Sequence, residues 1–142
     1  MNLPTTKARD YAPTVLRFGI ATLFLWFGLS QITNPTAWVS WIPAWVLSVS
    51  WLSGTAIVLF NGAFETILGV LLIIGFYTRL IALLLSLHLF FIAYEVGYND
   101  IGVRDFALAV STIAISLFGP DQFSVDQKME ANAFTRNSLA QE

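Results

Sequence analysis

One carboxylate lies within a stretch of sequence that is otherwise almost wholly apolar. Glu65 is the only acidic residue in NGAFETILGVLLIIGFYTRL, residues 61–80. A charged side chain near the centre of a membrane costs about 3 kcal/mol on insertion scales, so such groups face the protein interior and have a partner or a function. Glu65 is therefore either a proton or cation site, or an acceptor of hydrogen bonds that hold helices together.

A histidine and a second glutamate are the next candidates. His88 is the single histidine of the chain, and Glu95 follows it on the same helix face. With a rise of about 1.5 Å per residue, Glu65 and His88 come within about 5 Å of each other in depth, so a contact between them is geometrically feasible. His88 is either functional or an interior histidine whose ring nitrogens simply have hydrogen-bond partners within the protein.

Three further charged residues complete the set of candidates. Arg104 and Asp105 are adjacent at the start of the last apolar segment. They either clamp a ligand, or they serve as an interfacial anchor and as a carboxylate favoured by the dipole at a helix N-terminus. Arg17 lies near the start of the first apolar segment. We predict that it lies, with the residues above, on polar helix faces that meet inside the protein.

The residue inventory excludes several chemistries for this chain. It contains no cysteine, which excludes disulfides, thiol redox chemistry, iron–sulfur ligation and covalent haem attachment. A single histidine cannot supply bis-histidine haem ligation, and we predict no metal site. No phosphate-binding loop, nucleophile elbow or HExxH motif is present. A redox role therefore requires a quinone, a partner subunit or a homo-oligomer, and the sequence leaves open whether the chain is an enzyme.

The composition is that of a membrane protein. Of the 142 residues, 56% are hydrophobic and 11% are charged, and the mean hydropathy is +0.70. Soluble domains carry about 25% charged residues. We predict an all-α fold, a four-helix transmembrane bundle over residues 1–127 that is followed by a polar tail, residues 128–142. The predicted spans cover residues 14–32, 56–76, 80–98 and 105–118, of which the last is short.

A tryptophan-rich segment, TNPTAWVSWIPAWVLSVSWLSG, separates the first two spans. Pro35 and Pro43 interrupt it, so it is too broken to cross the membrane. We expect one or two short helices along the membrane interface, where tryptophan side chains are common. The segment is either a lid or gate for a ligand, or simply a membrane anchor. Its tryptophans are Trp38, Trp41, Trp45 and Trp51.

The distribution of basic residues predicts the orientation. All of them except Arg104 fall at one end of a four-span bundle, which by the positive-inside rule places both termini in the cytoplasm. We therefore expect a multi-pass protein of the cell (plasma or inner) membrane, with an uncleaved first helix. No basic block suggests nucleic acid as a partner. The residues on the predicted cytoplasmic side are Lys7, Arg9, Arg17, Arg79, Lys128 and Arg136.

Small residues mark the faces on which the helices should meet. Gly62, Thr66 and Gly69 share one face of the second span, and Glu65 borders that face. Small residues allow helices to approach closely in lipid, so Glu65 should point into the bundle. The first span has a similar stripe, which comprises Arg17, Ala21, Gly28 and Gln31. We expect the opposite side of the second span, with Phe60, Phe64, Ile67 and Leu71, to face lipid.

Three stretches of the chain resemble the DoxX family of small four-helix membrane proteins. They are RFGIATLFLWFGLSQITNPTAW, NGAFETILGVLLIIGFYTRLIALLL and NDIGVRDFALAVSTIAISLFGPDQFSVD, and the resemblance covers residues 14–127. The matching positions are Arg17, Gly28, Gly62, Glu65, Gly69, Gly75, Arg79, Arg104 and Asp105. Many members carry a lysine where this chain has Gln31. The resemblance implies the four-helix bundle, and for some members a link to quinone-coupled sulfur oxidation or to membrane oxidoreductase complexes.

Three functions remain open at this point. The first is a subunit or accessory of a membrane redox or detoxification system that interacts with quinone, in which Glu65, His88 and Arg104 contact the ligand. The second is a small proton-coupled transporter subunit that depends on Glu65. The third is a structural or assembly protein whose polar residues serve packing alone. The expected partners are the lipid bilayer and either a second copy of the chain or a membrane oxidoreductase.

Overall fold

The computed structural model describes residues 5–139, and all regular elements among them are helices. Four of these helices are long and apolar enough to cross a membrane, which confirms the predicted fold class. The side chain of Lys7 and residues 140–142 of the predicted tail lie outside the described part. The elements are α1 (Thr5–Thr33), a 3₁₀ helix (Pro35–Trp41), α2 (Ala44–Val49), α3 (Gly54–Ile74), α4 (Thr78–Val96), α5 (Asp100–Phe118) and α6 (Val125–Leu139).

The four long helices pack as two close pairs, α1 with α3 and α4 with α5. In the first pair Gly28 and Gly62 face each other. A Cβ atom on either glycine would lie 2.8 Å from the carbonyl oxygen of the other, closer than real Cβ contacts. Thr66 and Gly69 lie on the same interface, next to Gly28 and Leu25 respectively. The predicted small residues therefore do meet at the closest helix contact.

The bundle has two unlike ends. The tail end carries the turn between α3 and α4 and the start of α6, whereas the Trp end carries the segment 34–53 between α1 and α3. The buried apolar core lies mainly in the half nearer the tail end, because its members come from the late part of α3 and α5 and the early part of α4. They include Ile20, Ala21, Phe24, Leu72, Ile81, Leu85 and Ile115.

Charged side chains fasten the tail end. Arg17 is fully buried, pairs with Asp121 at 2.6 Å, and donates to the carbonyl oxygens of Leu72 and Ile73 at the end of α3. Arg79 donates in the same way to the last carbonyl groups of α5. Because the last carbonyls of a helix lack partners within the helix, these two arginines cap α3 and α5.

The chain after α5 folds back onto this end. Asp126 accepts hydrogen bonds from the backbone N–H groups of Tyr77 and Thr78 at 2.8 and 2.7 Å, so it caps the start of α4. It is also the second residue of α6, a helix that we did not predict from the sequence. The division into a bundle over 1–127 and a tail over 128–142 stays a prediction.

The fourth span begins earlier than predicted. Asn99 caps α5 by accepting from the backbone N–H groups of Ile101 and Gly102, so the helix starts at Asp100 and has 19 residues. The predicted span over residues 105–118 therefore lies within a longer helix. Because the first residues of the helix are polar, a search for an apolar run does not detect its first turn. Asp105 is a buried residue of the second turn and not an N-terminal carboxylate.

Replacement of Gly28 by alanine tests the closest contact. The added methyl group would meet Thr66 Oγ1 at 2.5 Å and the Gly62 carbonyl at 2.8 Å. We expect Gly28→Ala to destabilise the fold by about 1–3 kcal/mol, measured as a lower thermal unfolding temperature in detergent. Gly19→Ala is the matched control, because a Cβ at Gly19 meets nothing within 4 Å. Equal effects of the two substitutions would contradict a tight α1–α3 contact.

The buried ion pair predicts a stability that depends on pH. Asp121 lies between α5 and α6. Burial alone raises the pKa of Asp121. The hydrogen bonds from Arg17 and from the backbone of Phe123, together with the charge of Arg17, outweigh this effect and hold the pKa below its ordinary value of 3.8. The stabilisation by ionised Asp121 is therefore complete above pH 3.8 and is lost as the pH falls through the lowered value.

At neutral pH, Asp121→Asn should lower the unfolding temperature strongly. It leaves the Arg17 charge buried without its partner, which costs about 3 kcal/mol or more. The difference between wild type and variant should shrink in acid below pH 3.8, where Asp121 itself becomes protonated. The exposed Asp10→Asn provides the control and should change little at any pH. A difference that persists unchanged into strong acid would argue against this pairing.

Candidate functional site

Glu65 lies at mid-depth of the bundle and accepts hydrogen bonds from two other helices. It is the twelfth residue of α3 and is 3% exposed. Its Oε1 lies 3.0 Å from His88 Nε2 on α4, and its Oε2 accepts from Gln31 Nε2 on α1 at 3.0 Å. The contact between Glu65 and His88 that the depth estimate made feasible is thus present. The carboxyl group therefore joins α1, α3 and α4.

Two amides complete this cluster. Asn61, one turn before Glu65, donates to Glu65 Oε1 at 3.0 Å and to Gln31 Oε1 at 2.8 Å. The sequence analysis placed Gln31 on a packing stripe but did not name either amide as a site residue. Residues four apart on a helix are neighbours, so the spacing of Asn61 and Glu65 could have identified Asn61 from the sequence. The position of Gln31 depends on how α1 crosses α3, which the sequence pattern does not show. We call these four residues, Gln31, Asn61, Glu65 and His88, the carboxyl cluster.

Like the amide oxygen of Asn61, one ring nitrogen of His88 has no hydrogen-bond partner among the described residues. Its Nε2 faces Glu65, its ring lies 5.1 Å from the ring of Phe64, and its side chain is 17% exposed. None of the described residues forms a hydrogen bond with its Nδ1. Because a carboxylate favours a proton on the facing nitrogen, Nδ1 is left to accept from a ligand when the ring is neutral and to donate when it is charged.

A cavity opens from the carboxyl cluster toward the Trp end. It has a volume of about 640 Å³ and lies between the two helix pairs. Apolar side chains form most of its wall, and the tryptophan-rich segment forms its roof with Trp38, Trp41, Pro43 and Val46. Such a size and lining are typical of small-molecule sites, which combine apolar walls with a few directed polar groups.

Arg104 and Asp105 line the same cavity from α5. Arg104 Nε donates to Asp105 Oδ1 at 2.8 Å, and the carboxylate is buried whereas half of the arginine side chain is exposed. The structure thus brings four of the predicted site residues, Glu65, His88, Arg104 and Asp105, to one cavity. Whether they act on a ligand remains a prediction.

The other two predicted site residues lie elsewhere. Arg17 fastens the tail end, at the opposite end of the bundle from the cavity roof. Glu95 shares the helix of His88, but its Oε2 accepts from Trp45 Nε1 at 3.1 Å. Sequence reasoning grouped both with Glu65 because periodicity gives the face of a helix but not the level at which a side chain finds its partner.

The roof is attached by few directed contacts. Trp45 bonds Glu95, and Trp38 Nε1 donates to Ser30 Oγ at 3.3 Å. Neither the 3₁₀ helix nor α2 contains a buried residue. The predicted short helices are therefore present, and their weak burial contrasts with the closely packed long helices. A segment with few buried contacts is the kind that opens locally.

The cavity has polar groups of both signs but no cluster of metal ligands. Among residues 5–139, no three side chains of the His, Cys, Asp or Glu type come together in a group that could hold a metal ion. The ionisable groups on the wall are Glu65, His88, Arg104 and Asp105. The chemistry available to this site is therefore hydrogen bonding and proton exchange with a ligand in an apolar chamber.

Comparison with known proteins identifies the family. Neither a curated protein nor a solved structure matches the chain. The sequence model of the DoxX family matches residues 12–97, which include the carboxyl cluster and Glu95. The match ends before α5, so Arg104 and Asp105 lie outside it, although the resemblance seen in the sequence extended to residue 127. Since the match covers more than half of the chain, this protein is a member of the DoxX family of membrane proteins.

Proposed function

We propose that this protein binds a quinone in the cavity above the carboxyl cluster and serves as an accessory subunit of a membrane redox or detoxification system. The observation that carries this proposal is the polar Glu65–His88 pair at the deep end of an apolar cavity of about 640 Å³. A quinone combines an apolar ring and tail with carbonyl oxygens, so its chemistry is complementary to that lining.

The Glu65–His88 pair would exchange one of the two protons that accompany the two-electron reduction of a quinone to a quinol. With the ring of His88 charged and held by Glu65, Nδ1–H donates to a quinone carbonyl; with the ring neutral, Nδ1 accepts from a quinol hydroxyl. Gln31 and Asn61 keep the carboxyl group in place through their amide donors. The lysine of many family members is Gln31 here, so His88 is the cationic partner available to Glu65 within the cluster.

The electrons would come from outside this chain. It has no cysteine and a single histidine, so it supplies no thiolate or bis-histidine ligand set for an electron carrier. We therefore propose an oxidoreductase in the same membrane as partner, with the DoxX protein supplying the quinone site. We further propose that the tail end, which carries Arg17, Arg79 and α6, faces the cytoplasm, because basic residues concentrate there.

Glu65→Gln tests the role of the carboxyl group. Without a carboxylate to support a charged ring, His88 becomes a weaker donor, and we expect the dissociation constant for decylubiquinone to rise about tenfold. Calorimetric titration in detergent measures it, with ligand partition into empty micelles subtracted. Glu130→Gln on α6, exposed and remote from the cavity, should leave binding unchanged.

The same variant separates this function from its alternatives. If the polar residues serve packing alone, Glu65→Gln lowers the unfolding temperature and no quinone binds to either protein. If the chain is a transporter subunit, proteoliposomes show flux driven by a pH gradient that Glu65→Gln abolishes. Either result would overturn the proposed quinone site.

Trp45→Phe tests whether the roof controls access. The substitution keeps an aromatic ring near Phe91 but removes the N–H that bonds Glu95. Since Trp45 does not line the cavity, we expect faster association and faster dissociation of quinone with less than about a threefold change in affinity. Stopped-flow quenching of tryptophan fluorescence measures both rates. Trp51→Phe is the control, because Trp51 is 92% exposed; equal rates in all three proteins would rule out a gating role for this bond.

A further inference from the structure

Arg104 presents unused hydrogen-bond donors at the cavity. Its Nε is bonded to Asp105, but neither Nη atom has a hydrogen-bond partner among the described residues. A guanidinium group carries N–H donors on both Nη atoms and holds them in a fixed plane. Because Asp105 is buried and holds Nε, the Nη donors of this half-exposed side chain on the cavity wall are available for an acceptor.

The charges around Arg104 determine what that acceptor is. The cavity wall carries two carboxyl groups, Glu65 and Asp105, against one guanidinium and the imidazole of His88. Asp105 already neutralises Arg104 at 2.8 Å. A fully anionic ligand would therefore meet an environment that is not positive overall, whereas a neutral carbonyl oxygen gains a charge-assisted hydrogen bond without that repulsion.

The two polar groups lie at different levels of one cavity. His88 is eight residues from the end of α4 that faces the Trp end, and Arg104 is four residues from the corresponding end of α5. At about 1.5 Å per residue their positions along these helices differ by about 6 Å. The wall also contains apolar residues from both of these helices, such as Leu89, Ile92 and Ile101. Within its apolar lining the cavity thus offers Arg104 as a donor at one level and His88, which donates when its ring is charged, at the other.

We infer that the ligand is a neutral ring with two opposed carbonyl oxygens, one bound at His88 and the other at Arg104. This inference rests on the proposed function. It narrows the ligand class to rings that carry two carbonyl oxygens as hydrogen-bond acceptors. A ring with a single carbonyl occupies only one of the two donors. Arg104 is therefore the residue that distinguishes dicarbonyl from monocarbonyl rings.

The test compares two small rings on wild type and variants. Menadione has two opposed carbonyls and tetralone has one, and the absence of cysteine removes thiol addition as a side reaction of menadione. Binding is measured by calorimetry in detergent, with partition into protein-free micelles subtracted. A hydrogen bond to a charged donor corresponds to a factor of about ten or more in affinity. Wild type should therefore prefer menadione about tenfold or more, and Arg104→Gln should reduce that preference to about twofold or less.

Further variants keep the test decisive. Arg104→Gln leaves buried Asp105 without its partner, so a double variant with Asp105→Asn retains a neutral pair and should show the same loss of preference. Arg136→Gln removes an exposed guanidinium on α6 and should keep the wild-type preference. Menadione binding with an undiminished preference in both Arg104 variants would overturn the inference but leave the quinone site standing. Failure of menadione to bind wild type at all would instead overturn the proposed function.

Discussion

The close approach of α1 and α3 at Gly28 and Gly62 is the constraint on which the site depends. Gln31 and Glu65 each lie three residues beyond one of these glycines. Because α1 and α3 run in opposite directions, Gln31 lies on the Trp-end side of the glycine contact and Glu65 on the tail-end side. A Cβ on Gly62 would meet the Cβ of Gln31 at 2.9 Å, which shows how near the helices run at that level. The backbones must come this close for the short Gln31 side chain to reach the Glu65 carboxyl group. The hydrogen bond between Gln31 and Glu65 therefore depends on the same close approach as the packing of the two helices.

The cavity follows from the way the four helices pair. Each pair is closely packed, and the contact between the pairs is looser. Near the tail end apolar side chains fill the gap, whereas near the Trp end it stays open. Among the described residues, the His88–Glu65 bond is the side-chain hydrogen bond that joins a long helix of one pair to a long helix of the other. A ligand that binds His88 would therefore contact a residue whose hydrogen bond links the two pairs.

The sequence predicted the four spans, the inward direction of Glu65 and its level relative to His88, because apolar length and helical spacing are local properties. It did not predict the start of α5, since Asn99 and Asp100 are polar residues that cap the helix rather than extend an apolar run. It also did not separate Glu95 and Arg17 from the cavity. Their partners, Trp45 and Asp121, lie 50 and 104 positions away in the chain, and no periodicity encodes such pairings.

The two ends of the bundle are held by different kinds of contact, and this difference is consistent with the proposed binding of a ligand at the Trp end. At the tail end Arg17, Arg79 and Asp126 satisfy the ends of three helices through buried or backbone-directed bonds, so opening there would leave several polar groups unpaired. At the Trp end the roof lacks buried residues in its short helices and is tied by the Trp38 and Trp45 side chains. Opening therefore costs least where the cavity lies, so in the proposed function a ligand would exchange with the membrane there while the tail end keeps the helices in register.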